Sequence, residues 1–248
     1  MKGAFFQKPL EWSIETPDES WQQGGKVRGT LRVKNHGADS ISLKSAGAGL
    51  AYADIKKVHA KTDGVLKPAP LKTFSDEDLK AGETKELPFE LDLPANCPVS
   101  DKKATYFLTY GKDALENHLQ LSIQPRVLYG KLVGLLDTFH RFKLKEFKGT
   151  KNGVEYKLIP PTSRDMANLD SLVLSFEMDG EALNLDFEFQ VKKLDTSGVT
   201  NSIKKETAKI KKTLQPKEYS LGRDMINQDV LLKMFESVIG EVKIKNQF

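Results

Sequence analysis

Apolar and polar residues alternate along most of this chain. In Leu87-Pro88-Phe89-Glu90-Leu91-Asp92-Leu93-Pro94, positions 87, 89, 91 and 93 point one way and the two acids the other. A two-residue period marks a half-buried strand. Pro88 and Pro94 bound the run and suit an edge or terminal position, because proline gives no amide to a second neighbour. Val27-Arg28-Gly29-Thr30-Leu31-Arg32-Val33 alternates in the same way. Further strands are expected over residues 10–16, 41–43, 47–53, 55–61, 74–79, 104–110 and 116–123. Turns such as Pro17-Asp18-Glu19-Ser20, Asn35-His36-Gly37 and Thr62-Asp63-Gly64 separate them. Short strands at this spacing, without intervening helices, predict a sandwich.

The period then changes. Leu128, Leu132, Leu135, Leu136 and Phe139 lie on one helical stripe, which predicts a helix over residues 128–140. A junction near residues 125–130 divides the chain into an N-terminal sandwich, 1–126, and a helix-led second sandwich, 127–248. Strands resume over 142–147, 154–159, 172–178 and 183–191. Asp179-Gly180 fits a tight hairpin between the last two. Residues 200–214 read equally as a basic amphipathic helix or as a lysine-rich strand. Asn227 can cap a helix over 228–239, with Gly240 as its stop and a final strand at 242–244. The expected class is therefore mainly all-β: two consecutive antiparallel β-sandwiches, with one short helix at the junction and another near the C-terminus.

Composition narrows the function classes. The 248 residues carry a net charge of +4, with 39% apolar and 29% charged residues. No run of about 18 apolar residues exists to cross a bilayer. The apolar stretch near Met1 is too short for a signal-peptide core. A single cysteine, Cys97, rules out an intrachain disulfide. These features lead to an expectation of a reducing, cytoplasmic setting. Charge is separated along the chain: residues 75–92 are acidic and residues 191–217 are basic. Either zone is a solvated face or a docking surface.

Candidate chemistry is sparse. His36, His59, His118 and His140 have no partner at metal-ligand spacing, and no nucleotide-binding or hydrolase motif occurs. No cofactor or metal is expected. Cys97 lies in a loop, where a nucleophile would need a base that the sequence does not show. Ser75-Asp76-Glu77-Asp78 lacks the spacing and the glycine of a calcium loop. Gly47-Ala48-Gly49 lacks a following helix and a third glycine, and reads as a flexible strand edge. Trp12 and Trp21, with Phe5 and Phe6, are either core or an exposed sugar platform. Lys204, Lys205, Lys209, Lys211 and Lys212 form the segment with the clearest ligand logic. They could meet an anionic membrane, an acidic protein or the acidic zone at 75–92. Nucleic acid is not expected, since arginines and interleaved aromatics are missing.

Two segments carry a family resemblance. One is Gly25-Lys26-Val27-Arg28-Gly29-Thr30-Leu31-Arg32-Val33. The other runs Gly82-Glu83-Thr84-Lys85-Glu86-Leu87-Pro88-Phe89-Glu90-Leu91-Asp92-Leu93-Pro94-Ala95-Asn96-Cys97-Pro98-Val99. Ile159-Pro160-Pro161-Thr162 and Leu169-Asp170-Ser171-Leu172-Val173-Leu174-Ser175-Phe176 extend it. The chain resembles the arrestin-like clan, and within it the bacterial sporulation-control family, over residues 10–195. It departs where the usual proline before the opening glycine is Gly24. The resemblance implies a non-enzymatic adaptor or scaffold of two β-sandwiches, and it transfers no catalytic residues. Partners would be proteins met through sheet edges or charged surfaces, including a second copy of the chain. The alternatives are a small-ligand or carbohydrate-binding sandwich and a hydrolase with a dispersed site.

Overall fold

The computed structural model describes residues 1–74, 78–112, 117–150, 153–195, 202–222 and 225–245. The chain forms two compact units, Met1–Gln124 and Pro125–Phe248.

The first unit contains β1 (Lys2–Gln7), β2 (Leu10–Glu15), β3 (Trp21–Gln22), β4 (Lys26–Asn35), β5 (Ile41–Ser42) and β6 (Gly47–Asp54). Helix α1 (Ile55–His59) follows, then β7 (Leu71–Thr73), β8 (Asp78–Leu79), β9 (Thr84–Asp92), β10 (Ala104–Gly111), β11 (Asn117–Gln120) and β12 (Ile123–Gln124). Two four-stranded sheets, β1-β2-β4-β9 and β11-β10-β6-β7, face each other. Between them lies one core. Trp12, Ile14, Val27, Leu31, Phe89 and Leu91 come from the first sheet, and Leu50, Tyr106, Leu108 and Tyr110 from the second. The alternation read from the sequence is what builds this interior: Phe89 and Leu91 are buried while Glu90 and Asp92 are exposed.

Some local expectations need correction. Pro88 lies within β9, opposite Thr30, not at its end; it is tolerated because β9 is an outer strand. Residues 2–7, which carry little alternation, form β1 because β2 offers a full pairing register from Lys2↔Glu15 to Gln7↔Leu10. Residues 55–59 are helical, not a strand. The Asp54 side chain caps this helix by accepting the Lys57 amide at 3.0 Å, and Val58 is buried. Gly47 and Gly49 are buried in β6, an inner strand rather than a flexible edge. A Cβ on Gly47 would stand 2.2 Å from the Lys72 carbonyl oxygen, so the close approach of β7 requires glycine there. Of the strand expected over 74–79, the residues before 78 fall outside the described strands, and residues 75–77 lie outside the described residues.

The second unit contains α2 (Val127–His140), β13 (Lys143–Thr150), β14 (Gly153–Ile159), a 3₁₀ turn (Arg164–Met166), β15 (Leu169–Asp179), β16 (Ala182–Asp195) and β17 (Ser202–Leu214). It ends with α3 (Pro216–Tyr219), β18 (Ser220–Gly222), β19 (Met225–Ile226) and α4 (Gln228–Lys245). The long strands form one antiparallel sheet in chain order, β13-β14-β15-β16-β17. Its apolar face carries Tyr156, Leu158, Leu172, Leu174, Phe176, Leu185, Phe187 and Phe189, all buried. Tyr129 of α2 stacks on Phe176 at 4.7 Å, and Phe235 of α4 meets the edge of Phe187 at 6.1 Å.

The mainly β class read from the sequence is what the chain has. The second unit differs in one layer, because α2 and α4 cover the sheet where the sequence suggested a second sheet. The other face of the sheet is mostly polar: Glu155, Lys157, Asn184, Asp186, Glu188 and Gln190 alternate with the core, with Val173 among them, and offer little apolar surface for a further layer. Residues 242–244 are also not a strand. α4 runs past Gly240 because Val242 continues the buried stripe of Leu231, Phe235 and Val238. Packing of an amphipathic face outweighs one glycine. The expected hairpin is present, with Gly180 and Glu181 as its two loop residues and Asp179 still paired to Ala182. Gly180 takes φ +59°, which glycine adopts without strain.

Candidate interaction surface

The lysine-rich segment 202–214 is a strand, and its helical reading is overturned. β17 pairs along its length with β16, from Leu183↔Leu214 to Asp195↔Ser202. Ile210 and Leu214 are buried opposite Phe187 and Leu183. A strand sends alternate residues to opposite faces, so the five candidate lysines do not form one patch. Lys205, Lys209 and Lys211 lie on the polar face. Lys212 sits on the apolar side, half-buried and opposite Leu185, and Lys204 lies opposite Lys193.

The lysines on the polar face have carboxylate partners. Lys205 and Lys192 both reach Asp170, at 2.6 and 3.2 Å. Lys209 meets Glu188 at 2.9 Å and Lys211 meets Asp186 at 3.3 Å. Asp170 is the extra residue where the β15–β16 register shifts, and the bulge aims it at both lysines. The hydrogen bonds from Lys205 and Lys192 hold its carboxyl below the usual range. The basic zone is therefore largely neutralised by acids on neighbouring strands. Lysines along an outer strand also discourage unwanted edge-to-edge pairing.

The acidic zone behaves alike. Glu90 of β9 pairs with Lys26 and with Arg28 (2.7 Å), Asp92 with Lys26 (3.6 Å), and Glu86 with Arg32 (2.5 Å). Hydrogen bonds from Lys26 and Arg28 lower the Glu90 carboxyl. The zones separated in sequence thus become cross-strand ladders, each completed within its own unit. The meeting of 204–212 with the acidic zone at 75–92, one of the readings the sequence offered, is not needed to satisfy Glu86, Glu90 or Asp92; residues 75–77 of that zone lie outside the described residues.

Other sequence candidates disperse. His36 lies after β4, bonded to Glu11 at 2.6 Å; His59 ends α1, His118 is in β11 and His140 ends α2. Among the described residues no three His, Cys, Asp or Glu side chains converge as a metal site. Cys97 is buried, with the Gln23 side chain donating to its carbonyl at 2.6 Å. Trp12 and Trp21 are buried in the first core and make no exposed platform; Phe6 is exposed. Ser75, Asp76 and Glu77 lie outside the described residues. Two shallow depressions are open to solvent. One of about 410 Å³ is lined by Ser13, Glu15, Thr30 and Arg32; one of about 590 Å³ runs along Pro160, Pro161, Arg164 and Asp170. In both, acids are already tied to lysines, Glu15 to Lys2 and Asp170 to Lys192.

A surface that the sequence reading passed over is β13. It is the outer strand at the other end of the five-stranded sheet, and residues 143–148 are exposed throughout. Leu144 and Phe147 are 47% and 45% exposed. Their three-residue spacing breaks strict alternation, which is the signal that could have marked a bulge. The register shift between Leu144 and Glu146 brings both onto the apolar side, opposite Leu158 and Tyr156.

This arrangement is a sandwich followed by a helix-backed sheet with open edges, a mainly β fold. The solved structure of Spo0M, a sporulation control protein from Bacillus subtilis, matches 94% of this chain and 98% of its own. The TM-score is 0.58 and the identity 15%. A β-glucosidase from Listeria innocua matches 46% of this chain and 16% of its own, with a TM-score of 0.28 and 15% identity. No protein-family model and no curated protein matches the sequence. Among the described residues no helix is long and apolar enough to cross a membrane.

Proposed function

We propose that this chain is a non-enzymatic, arrestin-like adaptor that binds protein partners along its sheet edges and charged faces. The observation that carries this reading is the disposition of its polar groups. They run as ladders along strands and end at open edges, instead of converging on a pocket. Outer strands present unpaired backbone donors and acceptors, the physical basis of recognition by strand addition. Likeness to a sporulation control protein along nearly the whole chain agrees with a regulatory binding role. The carbohydrate-binding alternative loses its platform with Trp12 and Trp21 buried.

The test is quantitative affinity capture from lysate of the native cell, run beside a glycan array and a panel of hydrolase substrates. The reading expects specific proteins enriched over a control bait, no saturable glycan binding and no turnover. Turnover or saturable glycan binding, with no protein enriched, would reject it.

A further inference from the structure

The cleft of about 590 Å³ in the second unit joins an apolar trough to a cationic lip. Strand β14 ends at Ile159, and Pro160-Pro161 follows. Neither proline has an amide to donate, so the ladder stops there and the segment forms a wall of the cleft. Ile159 is 37% exposed on this wall, while Met166 and Leu169, 8% and 7% exposed, lie beneath.

Arg164 stands on the lip. Its backbone is braced on both sides. The Ser163 amide donates to the Pro161 carbonyl at 2.9 Å, and the Met166 amide donates to the Ser163 carbonyl at 3.1 Å. Both nearby acids are already engaged. Asp165 accepts from Ser163 Oγ and from Lys243 Nζ, each at 2.6 Å, and Asp170 is shared by Lys192 and Lys205. The Arg164 guanidinium therefore has no carboxylate partner among the described residues. Unlike Lys205, Lys209 and Lys211, it is a charge left over after folding.

We propose that this cleft docks an extended acidic segment of a partner protein, with apolar side chains against Ile159, Pro160 and Pro161 and a neighbouring carboxylate held by Arg164. The proposal rests on the adaptor reading and gives it a partner chemistry. A guanidinium suits a carboxylate because its planar donors match the two oxygens. Lys192, which lines the same cleft but is bonded to Asp170, adds positive field. The occupant is a chain, not a small molecule, because the cleft is open to solvent, whereas small ligands are held in sites that bury most of their surface. The braced turn under Arg164 is ordered before binding, which lowers the cost of docking.

Fluorescence anisotropy of the purified full chain tests it. The probes are labelled, end-blocked hexapeptides in which Asp or Glu alternates with Leu, Val or Phe. Wild type is expected to bind them saturably. Arg164→Glu should weaken the tightest peptide roughly tenfold or more. Lys211→Gln, which removes a cation bonded to Asp186 outside the cleft, should leave it unchanged. Peptides with Lys in place of the acids, or Gly in place of the apolar residues, should not bind. Sodium acetate at matched ionic strength should not displace the peptide. Circular dichroism confirms that each variant is folded. Absence of saturable binding, indifference to Arg164→Glu, equal binding of the Lys or Gly peptides, or displacement by acetate would each overturn the proposal. Capture from native lysate with wild type and Arg164→Glu as parallel baits separates it from the adaptor reading. Proteins lost from the variant bait support the cleft. Unchanged capture overturns the cleft and leaves the adaptor reading standing, and no capture by either bait overturns both.

Discussion

At the residue scale, burial separates chemically similar side chains. Phe187 is 2% exposed and packs against Phe189 and Phe235, whereas Phe147 is nearly half exposed on β13. Phe187→Ala should destabilise the protein by about 3–5 kcal/mol through lost burial and the cavity left behind. Phe147→Ala should cost less than about 1 kcal/mol. Urea titration of both variants checks the contrast, and similar losses would show that the facing of β13 is wrong. His140 offers a pH test. Burial lowers its pKa, outweighing the nearby Glu236. A depressed pKa means that the folded state favours the neutral ring. Its contribution is present above the unfolded value of about 6.5 and is lost as pH falls through the lower folded value. Stability should therefore decline below about pH 6.5, before the carboxylates protonate, and His140→Gln should flatten that limb in thermal melts. Much at this scale was legible in the sequence. Phe89, Leu91, Phe187 and Phe189 lie in the cores because strict alternation determines facing. The ionic partners were not legible, since Lys205 and Asp170 are brought together only by strand register and a bulge.

At the element scale, β4, β9, β15 and β16 were legible because period two persists in each of them. The misses have physical causes. Residues 55–59 are β-prone by composition, but the Asp54 cap and a single buried Val58 suffice for a short helix. Residues 202–214 satisfy both periods on paper, and the long β16 decides between them by offering a complete ladder. Gly240 looked like a stop, yet the stripe resumes at Val242. That last point is testable, because a Cβ on Gly240 would meet nothing within 4 Å. If residue 240 is helix interior, Gly240→Ala should stabilise the protein by roughly 0.5–1 kcal/mol. A loss of stability in chemical denaturation would mean that the helix ends there in a left-handed turn.

At the scale of the whole molecule, the +4 net charge and the two opposed charge zones suggested polarity. Folding dissolves much of it, since each zone meets its counterions on adjacent strands. The account therefore predicts little attraction to lipid. In vesicle flotation at physiological salt, recovery with anionic vesicles should equal that with neutral ones. Changing Lys204, Lys205, Lys209, Lys211 and Lys212 to Gln should make no difference. Flotation that needs both anionic lipid and those lysines would reinstate a membrane role for β17.

The central claim is that this chain works by binding along its sheet edges. Hydrogen–deuterium exchange on the chain, with and without a protein purified by capture from its native lysate, tests this most directly. The account predicts slowed exchange concentrated on an outer strand, such as β1, β9, β13 or β17, with the inner strands unchanged. Saturated complex with no added protection on any outer strand would contradict it.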